Sequence, residues 1–477
     1  MKEQEITLSE ILIAREERVA IQNALLGKYQ APVISFTMNI AGPVKVTALS
    51  HRAFLWGCEQ LRLGFVQNRF PVLAEKTRSL PTGDEAYYAI DAPAEQVKAL
   101  CVEIEEAVIM GRLFDMDVIG LDGKKLERDA ERSCIVCGKP GRDCASRRLH
   151  TVQELQQATK TNLELAFLLL ARRKLSGLAT NALLEEVAVT PKPGLVDRAN
   201  NGAHRDMDLS TFQASAAALT AYWEACFREG MRPASAVGDG FPVPGSASPI
   251  CHSEQGEASM SPAQTFAQLR PLGKQAERDM LAATGGVNTH KGAIFTLGVL
   301  CGAIGRRWTA EEGFPSVDTI LNEAADMTRQ TLEAELPDAN WHTAGEALFR
   351  QYGTRGIRGE VADGLPAVRE ISLPVFKRLL TQGLDRNHAA AVTLLHLIAN
   401  VEDTNLLHRG GKEGAAWAKC QASGLITDGS VPSLREIAAL DRQFIERNLS
   451  PGGCADLLAV TLFLERLENT NSITIQN

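Results

Sequence analysis

Nowhere in the 477 residues does an apolar run reach the length needed to cross a bilayer; the densest, LELAFLLLARRK from Leu163 to Lys174, is far too short. The first residues, MKEQEITLSEIL, lack the basic segment and apolar stretch of a secretion signal. Positive charge is in deficit: 50 lysines and arginines against 58 acidic residues leave a net charge of −8, with no general field for nucleic acid. Cysteine is sparse, and ten in so long a chain read as reduced thiols rather than a disulfide framework. A fixed-period repeat is missing, and so is the Gly-Lys-Ser/Thr ending of a Walker A loop. The expectation is a cytoplasmic soluble protein with no membrane or nucleic-acid partner and no kinase-like phosphate loop.

What is present belongs to a folded multidomain chain, 45% hydrophobic and 23% charged, and too long for one ordinary core. Up to about residue 130 the periods are mixed. APVISFTMNIAGPVK and GDEAYYAIDAP read as strands, and AEQVKALCVEIEEAV as an amphipathic helix. FDMDVIGLDGKKLERD reads as strand, Asp122-Gly123 turn and charged return strand. From about Thr161, long runs rich in Ala, Leu, Glu and Arg are broken by Gly and Pro clusters. The expected architecture is therefore an α+β domain over 1–158 followed by a larger all-α domain over 159–477, joined through the polar stretch TVQELQQATKTN. Residues 242–264, rich in Pro, Ser and Gly, are expected to be a mobile loop insertion.

Two features of the first part carry chemistry. In GRLFDMDV, Asp115 and Asp117 stand two apart, so on a strand they share a face about 7 Å apart and can converge on Mg²⁺. The plain alternative is a solvated strand face. Arg112 and Lys45 are the candidate cations for phosphate. In CIVCGKPGRDCASRRLH, Cys134, Cys137, Cys144 and His150 have the ligand types of a structural Zn²⁺ site, though not a standard finger spacing; unpaired loop thiols are the alternative.

The second part holds several polar, Gly-rich corners. TPKPGLVDRANNGAHRDMD stops a helix at its prolines and presents Lys192 and Asp197. ATGGVNTHKGAIFTLG sets Asn288, Thr289, His290 and Lys291 at the start of a helix, where free backbone N–H groups bind phosphate. Arg355 lies in GTRGIRGE, Glu402 and Asp403 in NVEDTNLLHRGG, and Asp456 follows SPGG. Each alone could be a capped helix end. Together they are expected to line one cavity, with cations on phosphates, carboxylates on Mg²⁺, and Asp403 or Glu402 as a base.

These corners, in this order, resemble triphosphoribosyl-dephospho-CoA synthase over most of Leu168 to Leu467. LSEILIAREERVAIQ, PVISFTMNIAGPVK, GRLFDMDVIGLDG and the Cys/His tail resemble apo-citrate lyase phosphoribosyl-dephospho-CoA transferase, over about Ile6 to Leu155. The double resemblance implies a bifunctional transferase. Its helical half would join the triphosphoribosyl unit of ATP to the 2′-hydroxyl of 3′-dephospho-CoA, releasing adenine. Lys192, Asn288, Thr289, His290, Lys291 and Arg355 would form the cradle, Asp403 the base, and Asp197 and Asp456 the Mg²⁺ or ribose contacts. Its α+β half, nucleotidyltransferase-like, would attach the product to a serine of the acyl carrier (gamma) subunit of apo-citrate lyase, with Asp115 and Asp117 holding Mg²⁺. The equivalent enzyme pair acting on a malonate decarboxylase carrier and a non-catalytic zinc-bearing docking scaffold are the alternatives.

Overall fold

Alternating apolar and polar residues in VISFTM make β1 (Val33–Met38), a strand with two different faces. In the computed structural model, which describes residues 3–128, 131–233, 260–335, 349–351 and 353–475, β1 lies inside a four-stranded antiparallel sheet of order β2-β3-β1-β4. Its partners are β2 (Val72–Leu80), β3 (Gly83–Ile90) and β4 (Phe114–Ile119). The chain divides into two compact units, Met1–Leu170 with Ala310–Gly313, and Ala171–Thr309 with Phe314–Asn477.

One face of the sheet is aromatic. Phe36 stacks on Phe54 at 5.0 Å and meets Phe114 edge-on at 5.2 Å. Helix α2 (Ala48–Asn68) supplies Phe54 and reaches β1 closely because residue 57 is glycine; a Cβ there would lie 2.6 Å from the Phe36 ring. Helix α3 (Ala94–Ala107) packs alongside, burying Val97, Leu100, Cys101 and Ile104. The other face is covered by α1 (Leu8–Tyr29), which starts at a Thr7–Glu10 capping box. At one end α1 packs Leu26 on Val33, Ala89 and Ile119. At the other end the contacts are polar: Gln22 donates to Ser35 Oγ at 2.9 Å and Arg18 to Glu85 at 2.9 Å.

Expected strands 1, 3 and 4 form, as does α3. Strand β2 was not expected. Its residues VLAEKTRSL are largely exposed on an outer strand, so no buried alternation marks it, and its charges guard the edge. The Asp122-Gly123 turn forms, but the expected return strand shrinks to a single bridge, Ile119 to Lys125. The polar stretch at 151–162 is helical, opening α5 (Val152–Ala188), a 37-residue helix.

The second unit is helical. Helix α9 (Lys291–Arg307) is buried along nearly its whole length from Ala293. Its glycines let neighbours close in: a Cβ on Gly305 would overlap the Phe227 carbonyl of α7 (Thr220–Gly230), and one on Gly298 the Tyr222 hydroxyl. Of the loop expected at 242–264, residues 242–259 lie outside the described residues. The rest begins helix Pro262–Ala283, capped by Ser261, which corrects the end of that loop. No described helix is long and apolar enough to cross a membrane.

Candidate active sites

In the first unit, the register sets Asp117 opposite Ser35 and Asp115 opposite Thr37. The two carboxylates therefore share the sheet face that carries the polar contacts of α1. Asp117 pairs with Lys125. The Asp115 carboxyl is pushed above the ordinary range, first by partial desolvation and then by the Asp117 charge. Lys45 sits in the loop after β1, at the same sheet end, since Asn39 N–H bonds to Leu113 O at 2.7 Å. Its ammonium folds back onto Ile40 O at 2.6 Å, and desolvation lowers its pKa, with Arg15 adding to the effect.

Arg112 departs from expectation. It lies in a 3₁₀ turn, Ile109–Leu113, and its guanidinium donates to Ser133 O, turning toward the cysteine loop. The arginine whose charge reaches Asp115 is Arg132, which also donates to Phe114 O at 2.5 Å and pairs with buried Glu105. No motif flags Arg132 in the sequence; its one signal is its place two residues before Cys134.

The donor atoms of Cys134, Cys137, Cys144 and His150 lie within 4.8 Å of one another. Among the described residues this is the group of three or more potential metal ligands that converges.

In the second unit, the Gly-rich corners converge on one cavity of about 990 Å³. Lys192, Asn288, Thr289, His290, Lys291 and Arg355 all reach its wall, as do Asp403 and Asp456. Asp197 does not line it. Its carboxylate is used inside the turn, accepting from Lys192 N at 3.1 Å, Ala199 N at 2.6 Å and Asn200 N at 2.9 Å.

The floor is buried and charged. Lys192 Nζ donates to Glu186 Oε1 at 2.6 Å, and neither side chain is more than 5% exposed. Desolvation holds Glu186 above its ordinary pKa against the pull of Lys192. His290 caps the start of α9; its Nδ1 meets Ser215 Oγ at 2.6 Å while buried Nε2 has no partner. Burial, with Lys192 adding, lowers its pKa to about 3, so the ring is neutral. Asp456 lies against Gly292, where a Cβ would overlap its carboxylate. Desolvation, then Glu186 and Asp403, push it well above the carboxylate range.

The rim is looser. Lys291 pairs with Glu277 at 3.3 Å, and Arg355, between Gly353 and Gly356 at positive φ, pairs with Asp363 at the far end of the short helix Gly356–Ala362. Asp403 caps helix Thr404–Leu425: one oxygen accepts from Asn405 N at 2.7 Å and Leu406 N at 3.1 Å, the other from Cys454 N at 2.8 Å. It ties two helix starts together. Glu402, exposed beside it, accepts from Thr354 Oγ1 at 3.1 Å. Glu186 was missed in the sequence, where it is one more acid in a helix; the signal was its place six residues before the proline-flanked Lys192. His204, Ser450 and Arg409 also meet here: Arg409 donates to His204 Nδ1 at 3.1 Å, and His204 Nε2 lies 2.9 Å from Ser450 Oγ.

Two family models match the chain over successive stretches. Residues 172–475 match ATP:dephospho-CoA triphosphoribosyl transferase (CitG), and residues 6–165 match apo-citrate lyase phosphoribosyl-dephospho-CoA transferase (CitX). Over 478 residues the chain is 35% identical to Protein CitXG of Haemophilus influenzae, covering 96% of each. The chain belongs to the CitXG family. Protein CitXG of Leuconostoc mesenteroides subsp. cremoris is 32% identical over 487 residues, covering 97% of each. A Salmonella choleraesuis protein named "Probable 2-(5''-triphosphoribosyl)-3'-dephosphocoenzyme-A synthase 1" is 41% identical over 304 residues, 63% of this chain and 92% of that one. Membership of the CitXG family makes the chain a transferase and sets aside the docking-scaffold alternative.

Proposed function

We propose that this CitXG-family transferase both makes and attaches the prosthetic group of citrate lyase, with residues 159–477 performing the first reaction and 1–158 the second. The cavity floor carries the reading: a buried Lys192–Glu186 pair beside a neutral His290 with an unused Nε2, opening onto a rim of lysine and arginine.

In the first reaction the 2′-hydroxyl of 3′-dephospho-CoA attacks C1″ of the ATP ribose. The C1″–N9 bond breaks with its electron pair going to adenine, and the proton removed from the hydroxyl is returned to the adenine ring, so that neutral adenine departs. The triphosphate is held without being cleaved, which suits Lys291, Arg355, Asn288, Thr289 and the start of α9. His290 Nε2 and Lys192 orient the ribose end from the floor. Asp456, whose carboxyl burial pushes above the carboxylate range, is assigned to a ribose hydroxyl. Asp403 spends both oxygens on backbone N–H groups, so we assign the base to its neighbour Glu402 and a clamping role to Asp403.

In the second reaction a carrier serine attacks the α-phosphorus and pyrophosphate leaves. Asp115 and Asp117 fit Mg²⁺: they share one strand face, and a cation between them would offset the partial burial and the Asp117 charge that raise the Asp115 pKa. The ion would neutralise phosphate charge when bound. Arg132 and Lys45 are the nearby cations, and the acyl carrier subunit of citrate lyase is the proposed partner. Zn²⁺ is the proposed occupant of the Cys/His cluster. The test is incubation with Mg-ATP and 3′-dephospho-CoA, read by mass spectrometry. Adenine must appear in step with the triphosphoribosyl adduct, and pyrophosphate must follow on addition of the apo carrier. ADP in place of adenine would overturn the reading.

A further inference from the structure

Over Phe114 to Met116 the outer edge of β4 is closed by side chains instead of another strand, while at its far end Leu126 N–H bonds to Val118 O at 2.8 Å. Met116 N–H points outward and donates to Glu105 Oε1 at 3.0 Å. Phe114 O, on the same edge, accepts from Arg132 at 2.5 Å, and Arg132 also pairs with Glu105, whose side chain is buried. The strand holding Asp115 and Asp117 is thus fastened to α3 directly through Met116, whose O also accepts from Lys98 at 3.2 Å, and through Arg132, which bridges Phe114 O and Glu105.

That arginine stands at the foot of the cysteine loop. Gly141 N–H returns to Arg132 O at 2.9 Å, Ser133 bridges Pro140, and Arg112 donates to Ser133 O. Beyond it the chain makes a tight turn: Cys134 N–H bonds to Lys139 O at 2.7 Å and Gly138 N–H to Cys134 O at 3.0 Å, with Gly138 at φ +71°. Helix Gly141–Ser146 then brings Cys144 back, and Leu149 N–H bonds to Cys144 O at 3.1 Å ahead of His150.

This lobe buries little besides Cys134 and Cys144, too little apolar surface to hold itself closed. A tetrahedral ion with Zn–S bonds of about 2.3 Å would set its sulfurs about 3.8 Å apart. The Cys137 and Cys144 sulfurs are 3.5 Å apart, beyond a covalent bond, and the four donors fall within 4.8 Å. His150 Nε2 is buried and has no hydrogen-bond partner, a cost that a metal bond removes.

We propose that Cys134, Cys137, Cys144 and His150 bind one Zn²⁺, and that this ion holds Arg132 in place as the clamp on the Asp115/Asp117 strand. Arg132 is a positioning residue in this role. The consequence for carrier modification rests on the function proposed above; the metal and the clamp do not.

The test uses the full chain, purified reduced. Elemental analysis should find about one zinc per chain. Cys137→Ser should lose it, and Cys420→Ser, at an exposed thiol outside the cluster, should keep it. Hydrogen exchange reads the clamp: stripping zinc from the wild-type protein should speed exchange of residues 114–119 by about tenfold or more. Exchange in α9 should not change, and reloading zinc should reverse the effect. Arg132→Ala should keep its zinc yet exchange like the stripped protein. Reduced protein without zinc overturns the site, and unchanged exchange at 114–119 in either the stripped or the Arg132→Ala protein overturns the clamp. On the function proposed, stripping also lowers pyrophosphate release and spares adenine release. If loaded protein performs neither reaction, that function fails while the zinc and exchange results still decide this proposal.

Discussion

At the scale of single residues, neighbouring acids can be separated by what their oxygens already do. Asp403 accepts backbone N–H groups on both oxygens, whereas Glu402 sits at the cavity rim. Glu402→Gln should lower the rate of adenine release by about a hundredfold or more with little change in melting temperature, as loss of a general base does. Asp403→Asn keeps one acceptor oxygen and should cost about 1–2 kcal/mol of stability, as loss of a helix cap does, seen as a lower melting temperature. The opposite pattern would return the base to Asp403. His290 supplies a second contrast. Its pKa falls from 6.5 to about 3 on folding, so the unfolded chain takes up a proton first as pH drops. Stability from keeping this ring neutral is complete above pH 6.5 and is lost as pH falls toward 3, with a slope of up to about 1.4 kcal/mol per pH unit. Lys192 and Ser215 face the ring and the Asn amide can keep the Ser215 contact. Denaturant unfolding at a series of pH values should show a flatter acid limb for His290→Asn than for wild type. Parallel curves would mean that His290 does not titrate with folding.

At the scale of elements, close approach is set by absent side chains. Helices α7 and α9 touch where Gly305 meets the Phe227 carbonyl. Gly305→Ala gives the helix a better former but forces a methyl into backbone, which cannot rotate away. It should cost about 1–3 kcal/mol, measured by chemical denaturation, where an exposed helical Gly→Ala would gain. The same logic explains what was legible beforehand. The glycines and polar run of ATGGVNTHKGAIFTLG marked a helix start, and Lys291 does begin α9. Asp115 and Asp117 were placed on one strand face because a two-residue spacing has one meaning on a strand. β2 escaped because an outer strand with little burial has no pattern to show. The surroundings of Arg112 and Asp197 were not legible, for a different reason. Spacing shows which residues are close in the chain, but not which backbone groups will claim a polar side chain. Ser133 O claimed Arg112, and three N–H groups claimed Asp197. Glu186 and Arg132 were hidden by the converse: their partners come from other elements or from the far side of a turn.

For the whole molecule, each candidate site is complete within one compact unit. Asp115, Asp117, Lys45 and Arg132 all belong to Met1–Leu170, and the cavity wall belongs wholly to the other unit. Neither set of side chains needs the other to be assembled. On the proposed function, the product of the cavity is a small soluble ester of phosphate that the second site can take from solution. A chain carrying Asp115→Asn and Asp117→Asn should therefore release adenine at the wild-type rate and fail to release pyrophosphate with the apo carrier. A chain carrying Lys192→Met should do the reverse when given the finished triphosphoribosyl compound. Mixed in equal amounts with ATP, 3′-dephospho-CoA and the carrier, the two variants should restore carrier modification. The restored rate should rise with total protein concentration, because the intermediate must then pass through bulk solvent between chains. Adding an excess of the double-aspartate variant, which supplies more of the intermediate to solution, should raise the rate further. If the double-aspartate variant instead stops after about one adenine per chain and the mixture leaves the carrier unmodified, the intermediate is retained by the chain that makes it, and joining the two enzymes in one polypeptide is required for the transfer.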